Sequence, residues 1–190
     1  MKKLVCHVPV LLILLTMTLN CSSGSKLYRM KDKNKIVTGK LTDSEFMSVS
    51  EFLEKATSLK PKDTIIIKYD YNKESCWNRL DQQNADYINN IISWSQSRVQ
   101  NAFKERPNLT VYRFREPGNN VNKIIDWDNS IVIDNDKRLF SLLFSQRSIC
   151  GNSILLMPDG KYVFMRSDSH FEVLDLTQND LHALLDYKAE

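Results

Sequence analysis

Four groupings of side chains in this 190-residue chain could support chemistry. The first is the thiol of Cys76, in Cys76-Trp77-Asn78-Arg79, which follows the apolar run Thr64-Ile65-Ile66-Ile67-Lys68-Tyr69-Asp70 and precedes a long helical pattern. The other cysteines are Cys6, Cys21 and Cys150. The second, Asp168-Ser169-His170, offers acid, hydroxyl and imidazole, but neighbours along a strand end do not converge as a triad must. A capped strand-to-helix turn is the expected role. The third, Asp126, Asp128, Asp134 and Asp136, has the composition of a calcium loop, yet Ile131-Val132-Ile133 interrupts it and the central glycine is missing. Helix capping and solvation are expected there, and no metal site. The fourth is the tryptophans: Trp77, Trp94 and Trp127 read as core or half-buried packing, with Trp77 also able to floor a substrate groove beside Cys76. The lone imidazole of His182, on the last helix, reads as a surface group.

The elements that must position these groups are legible from periodicity. Residues 27–30 and 36–41 alternate around Asp32-Lys33-Asn34-Lys35 and predict two short strands. Thr42-Asp43-Ser44 caps a helix carrying Phe46, Val49, Phe52, Leu53 and Ala56, which ends before Pro61. The isoleucines of residues 64–71 predict a strand buried on both faces, as in mid-sheet with parallel neighbours. A long helix spans about 84–106 with Ile88, Ile91, Ile92, Ser95, Val99 and Phe103 on one face, stopped by Pro107-Asn108. A strand at 109–115, a breaker at Glu116-Pro117-Gly118-Asn119-Asn120 and a short run at 131–133 follow. Asp134-Asn135-Asp136 then caps a helix with Leu139, Phe140, Leu142, Leu143 and Phe144. Strands at 153–157 and 161–166 join through Pro158-Asp159-Gly160, and Leu176-Thr177 leads into a final helix with Leu181, Leu184 and Leu185. Strands alternating with helices and closing on an antiparallel hairpin predict an α/β fold with a mixed central sheet covered on both faces.

The amino terminus carries an address. Lys2 and Lys3 precede an apolar run from Leu4 to Leu19 with six leucines, which stops at Asn20-Cys21-Ser22-Ser23-Gly24-Ser25. Sixteen residues at about 1.5 Å each reach roughly 24 Å, short of a ~30 Å hydrocarbon core, so the run reads as a secretion signal and not a span. Cys21 resembles the lipobox cysteine of a bacterial lipoprotein, with Asn20 departing from the usual small residue before it. The resemblance implies cleavage before Cys21, acylation of its thiol and new amine with palmitate-class chains, and anchoring to a membrane. Ser22 and Ser23 carry no acidic inner-membrane retention signal of the enterobacterial type, which favours the outer membrane, facing the periplasm. An ordinary signal cut nearby would instead leave Cys21 as an odd thiol. The expected organisation is a lipoprotein signal at 1–20, a lipidated tether and amino-terminal strand at 21–34, and one domain at 35–190. Loss of residues 1–20 lowers the formal charge from +3 to +1. With no basic block interleaved with aromatics, nucleic acid is not an expected partner.

The element order and the cysteine-bearing loop together resemble the thioredoxin-like superfamily over about residues 35–188. In that comparison residues 64–70 look like the central strand leading to the active-site loop, and residues 149–164 like the segment of cis-proline, strand, Asp-Gly turn and strand. The first motif cysteine falls on Cys76. The resolving position falls on Arg79 and the cis-proline position near Cys150-Gly151, where there is no proline. The resemblance therefore implies a degenerate active site without a CxxC motif. It also implies that Cys76 and Cys150 lie side by side at the carboxyl ends of adjacent strands, where open α/β sheets place ligands.

If Cys21 is lipidated, Cys76 and Cys150 are the two remaining thiols of an exported chain, and a disulfide between them, structural or redox-active, is the expected pairing, with two unrelated thiols as the alternative. A thiolate at a helix amino terminus near Arg79 or Lys73 would be stabilised for exchange. Three readings stay open: a thiol-disulfide exchange protein with Cys76 as nucleophile and Cys150 as resolving thiol, a binding module using the surface around Trp77 and the 119–128 loop, and a structural accessory of an envelope complex. The first is an enzyme and the others are not; none calls for a cofactor.

Overall fold

The run Ile65-Ile66-Ile67 decides the architecture, because no position in it tolerates water on either face. All three side chains are fully buried in β2 (Thr64–Asp70), the central strand of a six-stranded sheet. The computed structural model describes residues 35–72, 82–118 and 128–186. Its strands run in the spatial order β1 (Ile36–Lys40), β6 (Lys161–Met165), β5 (Asn152–Leu156), β2, β3 (Leu109–Arg115) and β4 (Ile131–Ile133). Strand β2 pairs parallel with β3 and antiparallel with β5, so the expectation of parallel neighbours holds on one side only. The hairpin signal explains the difference: β5 and β6 are joined by the tight Pro158-Asp159-Gly160 turn, with Gly160 at φ +81°, and the pair runs against β2. This is the α/β class expected from the sequence, a mixed sheet flanked by helices that includes a hairpin and ends on a carboxyl-terminal helix.

Helix α1 (Asp43–Thr57) begins with a reciprocal cap between Thr42 and Glu45 and ends at Ser58 in the left-handed region. Its Val49 and Leu53 join Ile65, Ile67, Tyr69, Tyr112, Phe114, Leu139, Phe144 and Ile154 in one apolar cluster on a face of the sheet. Helix α2 (Ala85–Glu105), capped by Asn84, packs on β3 and on a 3-10 turn at Glu172–Asp175, while α3 (Gln178–Leu185) packs on β6 and β1.

One expectation is corrected here, and one is narrowed. The segment after Asp134 widens into a π-helical turn over Phe140–Phe144 in place of a regular α-helix. Its first amides converge on a single side chain: the Asp134 carboxylate accepts from the backbone N–H groups of Arg138 (2.9 Å), Leu139 (3.3 Å) and Phe140 (2.9 Å), and from the Tyr69 hydroxyl (3.1 Å). Trp94, expected as core or half-buried packing, is at the exposed end of that range, 51% exposed. It lies off the apolar stripe of α2, beneath the Arg98 guanidinium (4.9 Å) and edge-on to His170 (6.4 Å). The strand expected at 27–30 lies outside the described residues, as do Cys6 and Cys21.

Candidate functional site

Because β2, β3 and β4 run parallel, their carboxyl ends share one rim, and the start of β5 and the end of β6 meet them there. Register places Asp70 beside Arg115, Arg115 beside Ile133, Tyr69 beside Asn152, and Ser153 beside Met165. Cys150 leads into β5 at this rim. Its sulfur is in a disulfide and the residue is 9% exposed, whereas Ile149 just before it is 72% exposed. The other three cysteines of the chain, including the candidate Cys76, lie outside the described residues, together with Lys73, Trp77 and Arg79.

Beneath Cys150 the rim is charged and closely packed. Lys68 and Asp70, two apart on one strand and so on one face, form a buried ion pair at 3.6 Å. The Lys68 ammonium also donates to the Asp168 carbonyl oxygen, while Asp70 Oδ1 has no hydrogen-bond donor among the described residues. Gly151 makes this approach feasible. A Cβ there would lie 2.7 Å from the Tyr69 carbonyl oxygen and 3.0 Å from Lys68 Nζ, with Asp70 Oδ1 closer still. No proline occurs in residues 145–157, which lead into and form β5, and no cis peptide bond occurs among the described residues.

On the other face Tyr71 shares its hydroxyl proton between the carbonyls of Phe144 (3.1 Å) and Gln146 (3.0 Å) and accepts from Asn152 Nδ2 (2.6 Å). Glu116, only 3% exposed, follows β3. Its carboxylate accepts both arms of the Arg147 guanidinium fork, the backbone N–H of Asn72 (3.2 Å) and the Lys137 ammonium (3.3 Å). Arg147 in turn lies over the rings of Tyr71 (5.5 Å) and Phe140 (5.0 Å). The Arg147 hydrogen bonds outweigh desolvation and, with those from Asn72 and Lys137, hold the Glu116 carboxyl down at about 2. The Tyr69 phenol moves the other way: its burial first, then the like negative charge of Asp134, push it well above its ordinary range.

The Glu116 displacement has a sign. A carboxyl lowered from an ordinary 4.5 to about 2 contributes on the order of 3 kcal/mol to folding above pH 4.5 and loses it as the pH falls towards 2. Chemical denaturation of wild type and Glu116→Gln between pH 7 and pH 2 should show the wild type losing its advantage across that window. Parallel curves would mean that the carboxylate contributes nothing.

The remaining candidates resolve into structural roles. Asp168 is fully buried and caps the 3-10 turn, accepting from the amides of Glu172 and Val173 (3.2 Å) and from the Ser153 hydroxyl. No triad forms, since His170 points to Trp94. Ser167 and Phe171, at φ +49° and +57°, flank residues 168–170 just ahead of this turn, in the left-handed region that non-glycine residues rarely occupy. Asp128, a candidate calcium ligand and part of the candidate partner loop, is buried; burial would raise its carboxyl, but Ser130 hydrogen bonds and the Arg113 charge hold it below the usual range. Asp134 caps the π-turn, Asp136 is exposed, and Asp126 and Trp127 lie outside the described residues. His182 is exposed and sits 3.6 Å from Asp186.

Sequence reading missed two features of this rim. Lys68 and Asp70 were legible as charges at i and i+2 in a strand buried on both faces, a pattern that demands mutual pairing. Glu116 and Arg147 carried no such signal, standing in a breaker and a loop. No family model matches the chain, and no curated protein matches it. Among solved structures it is similar to a secreted Mycobacterium tuberculosis disulfide oxidoreductase homologous to E. coli DsbE, at 10% identity and a TM-score of 0.36, over 65% of this chain and 81% of that one.

Proposed function

We propose that this protein is a lipid-anchored lipoprotein of the bacterial cell envelope, held through Cys21 on the periplasmic side, that exchanges thiols and disulfides through Cys76 and Cys150. The observation that carries the reading is Cys150 itself: a disulfide-bonded, mostly shielded sulfur at the sheet rim, one residue from the Lys68–Asp70 pair and flanked by the exposed, apolar Ile149.

In the reducing direction the Cys76 thiolate attacks a disulfide of a polypeptide substrate, forming a mixed disulfide and releasing one substrate thiolate. Cys150, as thiolate, then attacks Cys76 Sγ, closing the internal disulfide and releasing the second substrate thiolate. Two electrons pass from the pair to the substrate, whose thiolates take up two protons. A dithiol-bearing partner protein reverses the sequence and restores the pair. A shielded Cys150 suits the resolving role, which needs no access for a large substrate. The Lys68–Asp70 pair lies against Gly151, the residue after Cys150, and Ile149 offers an apolar contact to an incompletely folded chain.

The test is reduction of insulin disulfides by the mature protein with a dithiol reductant. Wild type should exceed the reductant alone, Cys76→Ser should fall to that background, and Cys150→Ser should accumulate a mixed disulfide. Activity untouched by Cys76→Ser ends the exchange reading, and palmitate labelling that survives Cys21→Ser ends the anchor. The burial of Cys150 favours one second reading, a non-catalytic binding or accessory module of an envelope complex with a structural disulfide. A reduction potential below about −300 mV with no turnover would select it.

A further inference from the structure

Three chain segments meet on one carboxylate at the rim. Asn72, at the end of β2, gives its backbone N–H to Glu116; Arg147, in the run that leads to Cys150, gives both arms of its guanidinium; and Lys137, just before the π-turn, gives its ammonium. The Glu116 backbone N–H also donates to the Asp70 carbonyl (2.9 Å), so the acceptor is fixed to the end of β2. The Arg147 guanidinium also lies over the rings of Tyr71 and Phe140, which limits the freedom of the 145–149 run.

We propose that Glu116 is a positioning residue, the hub of a latch with Arg147 that holds the Cys150 segment against the end of β2 and so makes its disulfide harder to reduce. The inference rests on reading that disulfide as the working group of the protein. Its physical basis is effective concentration. Two sulfurs re-form a bond in proportion to how often their segments hold them together, and a carboxylate that binds the Asn72 N–H on one side and the Arg147 fork on the other raises that fraction before the bond closes. Asn72 lies four residues before Cys76 and Arg147 three before Cys150, so one carboxylate restrains the approach to both proposed partners.

The experiment equilibrates the full chain in glutathione redox buffers and reads the dithiol fraction by alkylation and mass. Glu116→Gln and Arg147→Met should each shift the equilibrium about tenfold towards the dithiol, which is ~30 mV for a two-electron couple. The double variant should shift no further than either alone, because both remove the same latch. Lys137→Met, which removes a half-exposed contact, should stay within about twofold. A merely structural loss would lower the melting temperatures of oxidised and reduced forms alike and leave this equilibrium unmoved.

Equilibria within twofold of wild type for both Glu116→Gln and Arg147→Met overturn the latch. If Glu116→Gln fails to fold, Arg147→Met decides alone, since its guanidinium is 47% exposed and its removal leaves the core intact. Insulin turnover separates the two ideas. An inert wild type whose potential nevertheless shifts with these variants overturns the exchange reading and keeps the latch, whereas an active wild type with an unshifted potential does the reverse.

Discussion

Replacing Cys150 with serine is expected to destabilise the oxidised protein by about 4 kcal/mol. The figure follows from chain entropy: a bond between Cys76 and Cys150 closes a loop of about 74 residues, and a loop of that size constrains the unfolded chain by that amount. For a domain of this length the loss corresponds to a fall in melting temperature of roughly 8–16 °C. The pairing itself is tested by the same series. Cys76→Ser should cost as much as Cys150→Ser, and the double variant no more than either single one, because one bond is lost in each case. Under reducing conditions the differences should vanish. A Cys76→Ser protein that keeps the full melting temperature of the oxidised wild type would assign Cys150 a different partner and remove the proposed exchange pair with it.

The second large effect is expected at Asp70. Removing its carboxylate by Asp70→Ala leaves the buried Lys68 ammonium with the Asp168 carbonyl as its partner among the described residues, and breaking a buried pair from one side costs on the order of 3–5 kcal/mol. Desolvation of both charges is the reason the pair need not be replaced in kind. The double variant Lys68→Met with Asp70→Leu, which fills similar volume without charge, should recover all but about 1 kcal/mol of the loss. Urea denaturation with an unchanged slope would read both values. A single Asp70→Ala that costs less than about 1 kcal/mol would show that the ion pair holds nothing at this rim. Since Gly151 brings backbone directly against these two side chains, the double variant also asks whether the charges or only their volumes keep the approach to Cys150 in place.

What could be read in advance was everything governed by local rules. The cap at Thr42, the apolar stripe of residues 88–103, the Asp159-Gly160 turn and the three buried isoleucines each act within a few residues, and each fixed an element where it was expected. The π-turn after Asp134 was not legible, because its geometry follows from one carboxylate collecting three successive amides while also binding Tyr69 from another strand. Trp94 lies at the exposed end of its expected range for a related reason. Aromatic type suggests burial, but the helix phase put this ring on the water side, where Arg98 covers part of it.

The sequence by itself determined the mixed sheet, its helices, and the placing of Cys150 at the head of a strand in the hairpin, since hydrophobic period and turn chemistry are properties of neighbours along the chain. Only the tertiary structure decided what surrounds that sulfur. Lys68 and Asp70 reach Gly151 across about 80 residues, and Glu116 gathers Arg147 from some 30 residues away, distances over which no local pattern operates. Such pairings are set by the order in which strands are laid side by side, and by the cost of leaving a buried charge without an opposite one.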